Sequence, residues 1–157
     1  QDWRSGENIV ICSQIPWDVN VQNTDHQKWC NQIVKEIRKF SDRTIVFRPH
    51  PVKPKAVDPP SDTTVSFKDF QEDLVNAHAV VCYNSNSAVE AVLAGVPAFV
   101  SNQSSMAWEV SNHDISDIEL PKLFDRAQWI NNLAYSQWTV DEMAEGLPLI
   151  HLGIKGD

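Results

Sequence analysis

The apolar positions of this chain fall into short unbroken runs, and these alternate with stretches of helical period. Residues 8–13, Asn-Ile-Val-Ile-Cys-Ser, are a continuous apolar run of strand length, the mark of a strand buried on both faces. A polar, proline-broken loop follows over residues 14–22. From 26 to 40 the period changes: Trp29, Ile33, Ile37 and Phe40 recur at helical spacing, with Lys28, Lys35, Glu36, Arg38 and Lys39 left for the wet face. After a break at 41–43, residues 44–47 form a second buried-type strand. It runs straight into Arg48-Pro49-His50-Pro51, where the prolines forbid both helix and ladder. Residues 52–62, with Pro54, Pro59 and Pro60, read as a stiff polar loop, and residues 63–67 as a short edge strand. A short helix over 69–77 places Phe70 and Leu74 inward and its acidic residues early, where the helix dipole favours them.

The next unit has the plainest pattern in the chain. Residues 79–83 are apolar, 84–87 are small and polar, 87–94 suit a short helix, and 98–101 are apolar again. Gly95 stands where a helix C-cap belongs, with Pro97 just beyond. After Asn102 the character changes. Residues 104–117 are mixed and polar, and 121–134 read as a helix with Leu123, Ala127, Ile130 and Ala134 on one face. A further short helix opens at Thr139, with Glu142 completing a capping box and Gly146 ending it.

Buried-type strands alternating with helices predict an α/β fold: a single Rossmann-like domain over residues 1–157, with helices on both faces of a mostly parallel sheet of about five strands. Its core spans about 8–102 and a helical tail about 104–146. In such sheets ligands bind beyond the carboxyl ends of the strands, near the topological switch point. Three loops leave carboxyl ends here, at 14–22, 48–55 and 83–87, and they are expected to converge on one crevice.

Composition narrows the partners. The 157 residues are 42% hydrophobic and 22% charged, an ordinary globular balance. A net charge of −8 disfavours a broad grip on nucleic acid or anionic lipid, while leaving room for a local phosphate site. No run of eighteen apolar residues occurs and no secretory signal pattern is visible, so no membrane span and a cytoplasmic location are expected. The three cysteines, Cys12, Cys30 and Cys82, lack metal-ligand spacing and read as small buried hydrophobes of a reducing compartment.

Candidate chemistry concentrates in the three loops. Ser85, Asn86 and Ser87 offer hydroxyl and amide donors where a helix begins, a place that favours anions. Ser87 with Glu90 also makes a capping box, so finishing the helix is an equal reading of the same residues. Glu90 in the crevice would suit paired sugar hydroxyls. Arg48 and His50 end an apolar strand on a rigid Pro-His-Pro backbone, and both suit phosphate, by a guanidinium fork and a single positioned donor. Gln14, Trp17 and Asp18 lie in the first loop, Trp17 reading equally as packing or ligand-facing; Lys53 and Lys55 add local positive charge of little weight. His26, His78, His113 and His151 have no metal-like spacing and receive no role. The Walker A, GxGxxG and GxSxG patterns are all absent, which removes ATPase and classical dinucleotide readings and weakens hydrolase.

Arg48-Pro49-His50-Pro51 followed by Asn84-Ser85-Asn86-Ser87-Ala88-Val89-Glu90 and the Gly95-Val96-Pro97 stop resembles the C-terminal half of a GT-B glycosyltransferase. The likeness is to the bacterial capsule group, with Kdo transferases and polysialyltransferases and their HP and serine motifs. The tail from Asp125 to Thr139 resembles the end of capsule-type and phage-borne relatives, so the resemblance covers roughly residues 8 to 146. It implies a nucleotide-sugar donor, CMP-sugar favoured, with His50 (the catalytic candidate) and the Ser85–Ser87 turn on the donor phosphate and Glu90 near the ribose. Gln14, Arg48, Pro51 and Asn84 complete the implied donor site. No metal or other cofactor is required, since fixed donors can carry the leaving-group charge and Asp-x-Asp occurs nowhere. A GT-B enzyme needs a second, N-terminal domain for the glycan acceptor, and that domain is missing from this sequence. A noncatalytic nucleotide- or sugar-binding module of a larger assembly makes the same binding predictions. An epimerase-like relative would need extra carboxylates, for which Asp18 and Glu90 are the candidates.

Overall fold

The computed structural model describes residues 2–21 and 23–154; Gln22, the end of the first expected loop, lies outside them. The chain forms two compact units, Gln1–Phe124 and Asp125–Asp157.

The first unit is an α/β Rossmann-like domain. Its elements in order are β1 (Asn8–Cys12), α1 (His26–Ile37), β2 (Ile45–Arg48), β3 (Thr64–Val65), α2 (Phe70–Val75), β4 (Ala77–Cys82), α3 (Ser87–Ala94) and β5 (Ala98–Val100). The five strands lie in the order β3-β2-β1-β4-β5, and every pairing is parallel. β1 therefore has β2 on one side and β4 on the other. The chain winds outward from β1 to β3, then returns to β4, so the switch point lies between β1 and β4.

Strand alternation sorts the core into two layers. Ile9 and Ile11, Ile45 and Phe47, Ala79 and Val81, and Phe99 pack with Cys30, Ile33, Val34 and Ile37 of α1. The alternate positions Val10, Val80, Ala98 and Val100 are buried as well, and α3, with Ala88, Val89, Ala91 and Val92 buried, contacts β4 and β5. Both faces are covered, which is why the strands read as continuous apolar runs.

Several element ends differ from the sequence expectation. α1 stops at Ile37 because the Arg38 guanidinium swings onto the Ser41 and Arg43 carbonyls and pairs with Asp62. The chain turns there, and Phe40, expected inward, is 45% exposed. α2 ends at Val75, and Ala77 already belongs to β4. Gly95 takes the left-handed C-cap expected of it, at φ 86°.

Residues 104–124 belong to the first unit. Asn112 accepts from Val100 N–H through its carbonyl and donates its own N–H to the Ala98 carbonyl, and its side chain both donates to Lys122 O and accepts from Lys122 N–H. These bonds hold the chain around Pro121 in a non-helical course. The expected helix at 121–134 accordingly begins only at α4 (Ala127–Tyr135). Its apolar face also differs: Leu123, Ala127 and Ala134 are exposed, Ile130 is half-buried, and Trp129 is the buried residue of the helix. α5 (Val140–Ala144) carries the expected Thr139–Glu142 capping box, and α6 (Leu147–His151) follows Gly146. Among the described residues, no helix is long and apolar enough to cross a membrane.

The entry into β1 makes a close approach. A Cβ on Gly6 would lie 2.3 Å from the Asn76 carbonyl carbon and 2.8 Å from that of Ala77. Glu7 and Asn8 both donate to Asn76 O nearby, at 3.0 Å each. Gly6→Ala is expected to cost about 2 kcal/mol. Thermal unfolding followed by circular dichroism should show a melting temperature lower by roughly 4–8 °C; an unchanged melting temperature would show that the segment yields freely.

Candidate functional site

The loops after β1, β2 and β4 meet at the carboxyl edge of the sheet, as the spacing of the strands predicts. They enclose two adjoining compartments. One, of about 210 Å³, is lined by Cys12, Ser13, Arg48 to Pro51, Phe70, Ser85 to Ser87 and Glu90. The other, of about 260 Å³, is lined by Gln14, Ile15, Asp18, Asn20, His50, Asn84, Ser85 and Asn86. His50, Ser85 and Asn86 belong to both and form the waist between them. Every residue singled out for the site lines one compartment or the other. Trp17 lines neither; it is 65% exposed. Lys53 and Lys55 are exposed and also lie outside both linings.

His50 is held by its own turn. Its Nδ1 accepts from the Val52 N–H at 3.3 Å. A neutral imidazole that accepts at Nδ1 carries its proton on Nε2, so the ring offers the crevice a donor. Pro49 and Pro51 on either side restrict the backbone that carries it.

The turn before α3 is built differently from the expected capping box. The Ser87–Glu90 capping box does not form. Ser87 is the first helical residue, Asn86 stands at the N-cap with no side-chain cap bond, and the Glu90 carboxylate accepts from Gln71 Nε2 instead. Ser85 closes the turn: its carbonyl accepts from Ala88 N–H at 3.1 Å and its Oγ from Ser87 N–H at 3.2 Å. The Ser85 and Ser87 hydroxyls lie 3.0 Å apart. The helix thus opens towards the waist with its dipole intact and two hydroxyls beside it.

Gln14 and Asn84 are bonded to each other. Gln14 Nε2 donates to Asn84 Oδ1 at 2.8 Å, and Gln14 Oε1 accepts from Asn84 N–H at 3.1 Å. Asn84 Nδ2 donates in turn to Asn20 O and Ser104 Oγ. These bonds lock the first loop to the third. Both line the second compartment.

Arg48 is likewise committed. Nη1 is bonded to the Asp73 carboxylate, Nη2 donates to Lys68 O at 2.9 Å, and the guanidinium carbon lies 5.3 Å from the Phe70 ring centre. Arg48 thus lines the first compartment while its ion pair carries α2 against the end of β2. Asp18 and Glu90 remain as carboxylates on the two walls.

Two residues that hold the site have no motif to announce them. Asp73, the partner of Arg48, looks in sequence like any acid of a short helix. His26, at the start of α1, accepts the Gln14 backbone N–H on Nε2 at 2.9 Å. Its ring stacks on Trp29, at 5.1 Å between centres, and meets Tyr83 edge-on. Burial holds its pKa down at about 4. Tyr83 OH accepts from Thr24 Oγ1 and from Asn102 Nδ2, and Trp29 Nε1 donates to Ser101 Oγ. The one sequence sign of this cluster is the His26, Trp29 spacing, which puts both rings on one helix face.

The cysteines are free and buried, as expected of small hydrophobes. Cys12 and Cys82 are register partners beneath the turn. Burial pushes the Cys12 and Cys30 thiols up to about 12 and raises that of Cys82. Thiolate chemistry at neutral pH is disfavoured there. Among the described residues, no group of three or more His, Cys, Asp or Glu is placed to hold a metal ion.

In comparison with known proteins, no family model matches the chain, and no curated protein and no solved structure matches it. The class of molecule defined here is a Rossmann-like α/β domain with a crevice at its switch point.

Proposed function

We propose that the crevice binds a nucleotide-activated sugar and that the chain is the donor-binding domain of a glycosyltransferase. The observation that carries this reading is the waist. His50, Ser85 and Asn86 line both compartments from separate strand ends, a pairing of an imidazole N–H donor and a helix N-terminus that suits a phosphate group. Each compartment is smaller than the roughly 300–1,000 Å³ of typical ligand sites, and the two together fall within it. A ligand with two bodies joined by phosphate fits that division: a nucleoside on one side and a sugar on the other.

In transfer, an acceptor hydroxyl oxygen bonds to the anomeric carbon and gives up its proton while the bond from that carbon to the phosphate oxygen breaks, and the electron pair of the broken bond leaves as negative charge on the phosphate. His50 Nε2–H and the α3 dipole stabilise that charge. The resemblance to capsule-type enzymes favours a CMP-sugar and places the acceptor on a second domain.

Calorimetry with CMP, UDP, GDP and TDP tests the reading. CMP is expected to bind, and His50→Ala to weaken it about tenfold, the worth of one hydrogen bond to a charged group, with the unfolding midpoint unchanged. No response to any of the four nucleotides would overturn the site assignment. Release or transfer of sugar in a product assay then separates a transferase domain from a binding module.

A further inference from the structure

A second pocket lies at the other end of the sheet. His78 stands near the start of β4 and Pro97 just before β5, so the pocket, of about 300 Å³, opens at the amino edge, away from the crevice. Its wall is apolar: Trp3, Leu120, Pro121 and Leu123 line it. His78 is held by a 2.7 Å bond between Nε2 and the Ile118 carbonyl.

One cation faces this apolar wall. The Arg4 backbone N–H donates to Gly95 O at 2.6 Å and its Nε to Ala94 O at 2.8 Å, so the residue caps the carboxyl end of α3. That use leaves the two terminal amino groups of the guanidinium, which have no partner among the described residues. Arg38, Arg43 and Arg48 each hold a carboxylate, from Asp62, Glu119 and Asp73, and among the described residues Arg4 holds none. Glu119 also lines the pocket, but both its oxygens accept from Arg43 Nε, at 3.1 and 3.0 Å.

The geometry points to a binding site for a small hydrophobic carboxylate, its carboxyl group on the terminal nitrogens of Arg4 and its aromatic or branched body against Trp3, Leu120 and Leu123. Charge complementarity selects the anion: an open guanidinium fork beside a wall whose own acid is neutralised. The apolar wall selects the body, since a bare anion such as acetate gains nothing from it. The site is independent of the crevice and of any nucleotide.

Phenylacetate is a direct probe, followed by calorimetry on the full chain with phenylacetamide and acetate as controls. A fragment of this size is expected to bind with a dissociation constant of about 1 mM, and both controls at least tenfold more weakly. Arg4→Gln should abolish phenylacetate binding. Because that change also removes a helix cap, Leu123→Glu provides a second variant: it leaves Arg4 in place, puts a repelling carboxylate on the wall, and should likewise abolish binding. His50→Ala should leave the affinity unchanged. Equal binding of phenylacetamide, retained binding in Arg4→Gln, or no binding of phenylacetate at 10-fold above ~1 mM would each overturn the assignment.

Discussion

Replacing Asp73 with alanine is expected to destabilise the first unit by about 1–3 kcal/mol, between the worth of an exposed pair and the penalty for breaking a fully buried one. The two side chains are only 14% and 10% exposed. Without the carboxylate, the Arg48 guanidinium keeps the Lys68 carbonyl and the Phe70 face, neither of which cancels its charge. The penalty is chiefly that of an uncompensated buried charge, so it should largely vanish when the charge goes too. Urea denaturation of Asp73→Ala, Arg48→Met and the double variant distinguishes the cases. The double variant is expected to lie well above Asp73→Ala in stability. If the two are equally unstable, the loss comes from packing around α2 and not from the pair.

Acid should loosen the site through His26. Its folded pKa of about 4 lies below the ordinary 6.5, so between these values the unfolded chain binds a proton that the folded chain does not. Stability then rises with pH across that window and is lost as pH falls from about 6.5 towards 4. The full difference corresponds to about 3 kcal/mol. The carboxylates held low act at lower pH. Asp62, Asp114, Glu119 and Glu142 start from ordinary values of 3.8 or 4.5, and their contributions fade only below those values. Unfolding midpoints measured at pH 7, 6 and 5 should therefore fall in the native chain and much less steeply in His26→Gln. Parallel slopes in the two proteins would assign the acid sensitivity elsewhere. Protonation of Nε2 also removes the acceptor of the Gln14 N–H, so the first loop and its lock on Asn84 should slacken in the same pH range.

The local features were legible because their causes lie within a few residues. Continuous apolar runs read as strands covered on both sides, and both core layers are present. Gly95 was recognisable as a C-cap, since a left-handed residue after a helix is a glycine's task. Thr139 and Glu142 read as a capping box because both ends of that bond lie within one turn. Phe40 and Leu123 were misread for the converse reason. Helical spacing continues through them, but the Arg38 bonds and the Asn112 bonds to Lys122 bend the chain away. A periodicity argument does not see a side chain that competes for backbone groups.

What the sequence alone determined is the set of chemical groups delivered to one edge of the sheet: a histidine between two prolines, and a serine- and asparagine-rich turn at the head of a helix. Parallel strands with helical connections put their loops at a common edge, whatever their order. What those groups are free to do was decided only by the tertiary structure. The sheet order set β1 between β2 and β4 and so brought His50 to the Ser85 turn. The same packing spent Arg48 on Asp73, 25 residues away, and Gln14 on Asn84, 70 residues away. A hydrogen bond consumes its donor wherever the partner comes from in the chain. Availability for a ligand is therefore a property of the folded molecule.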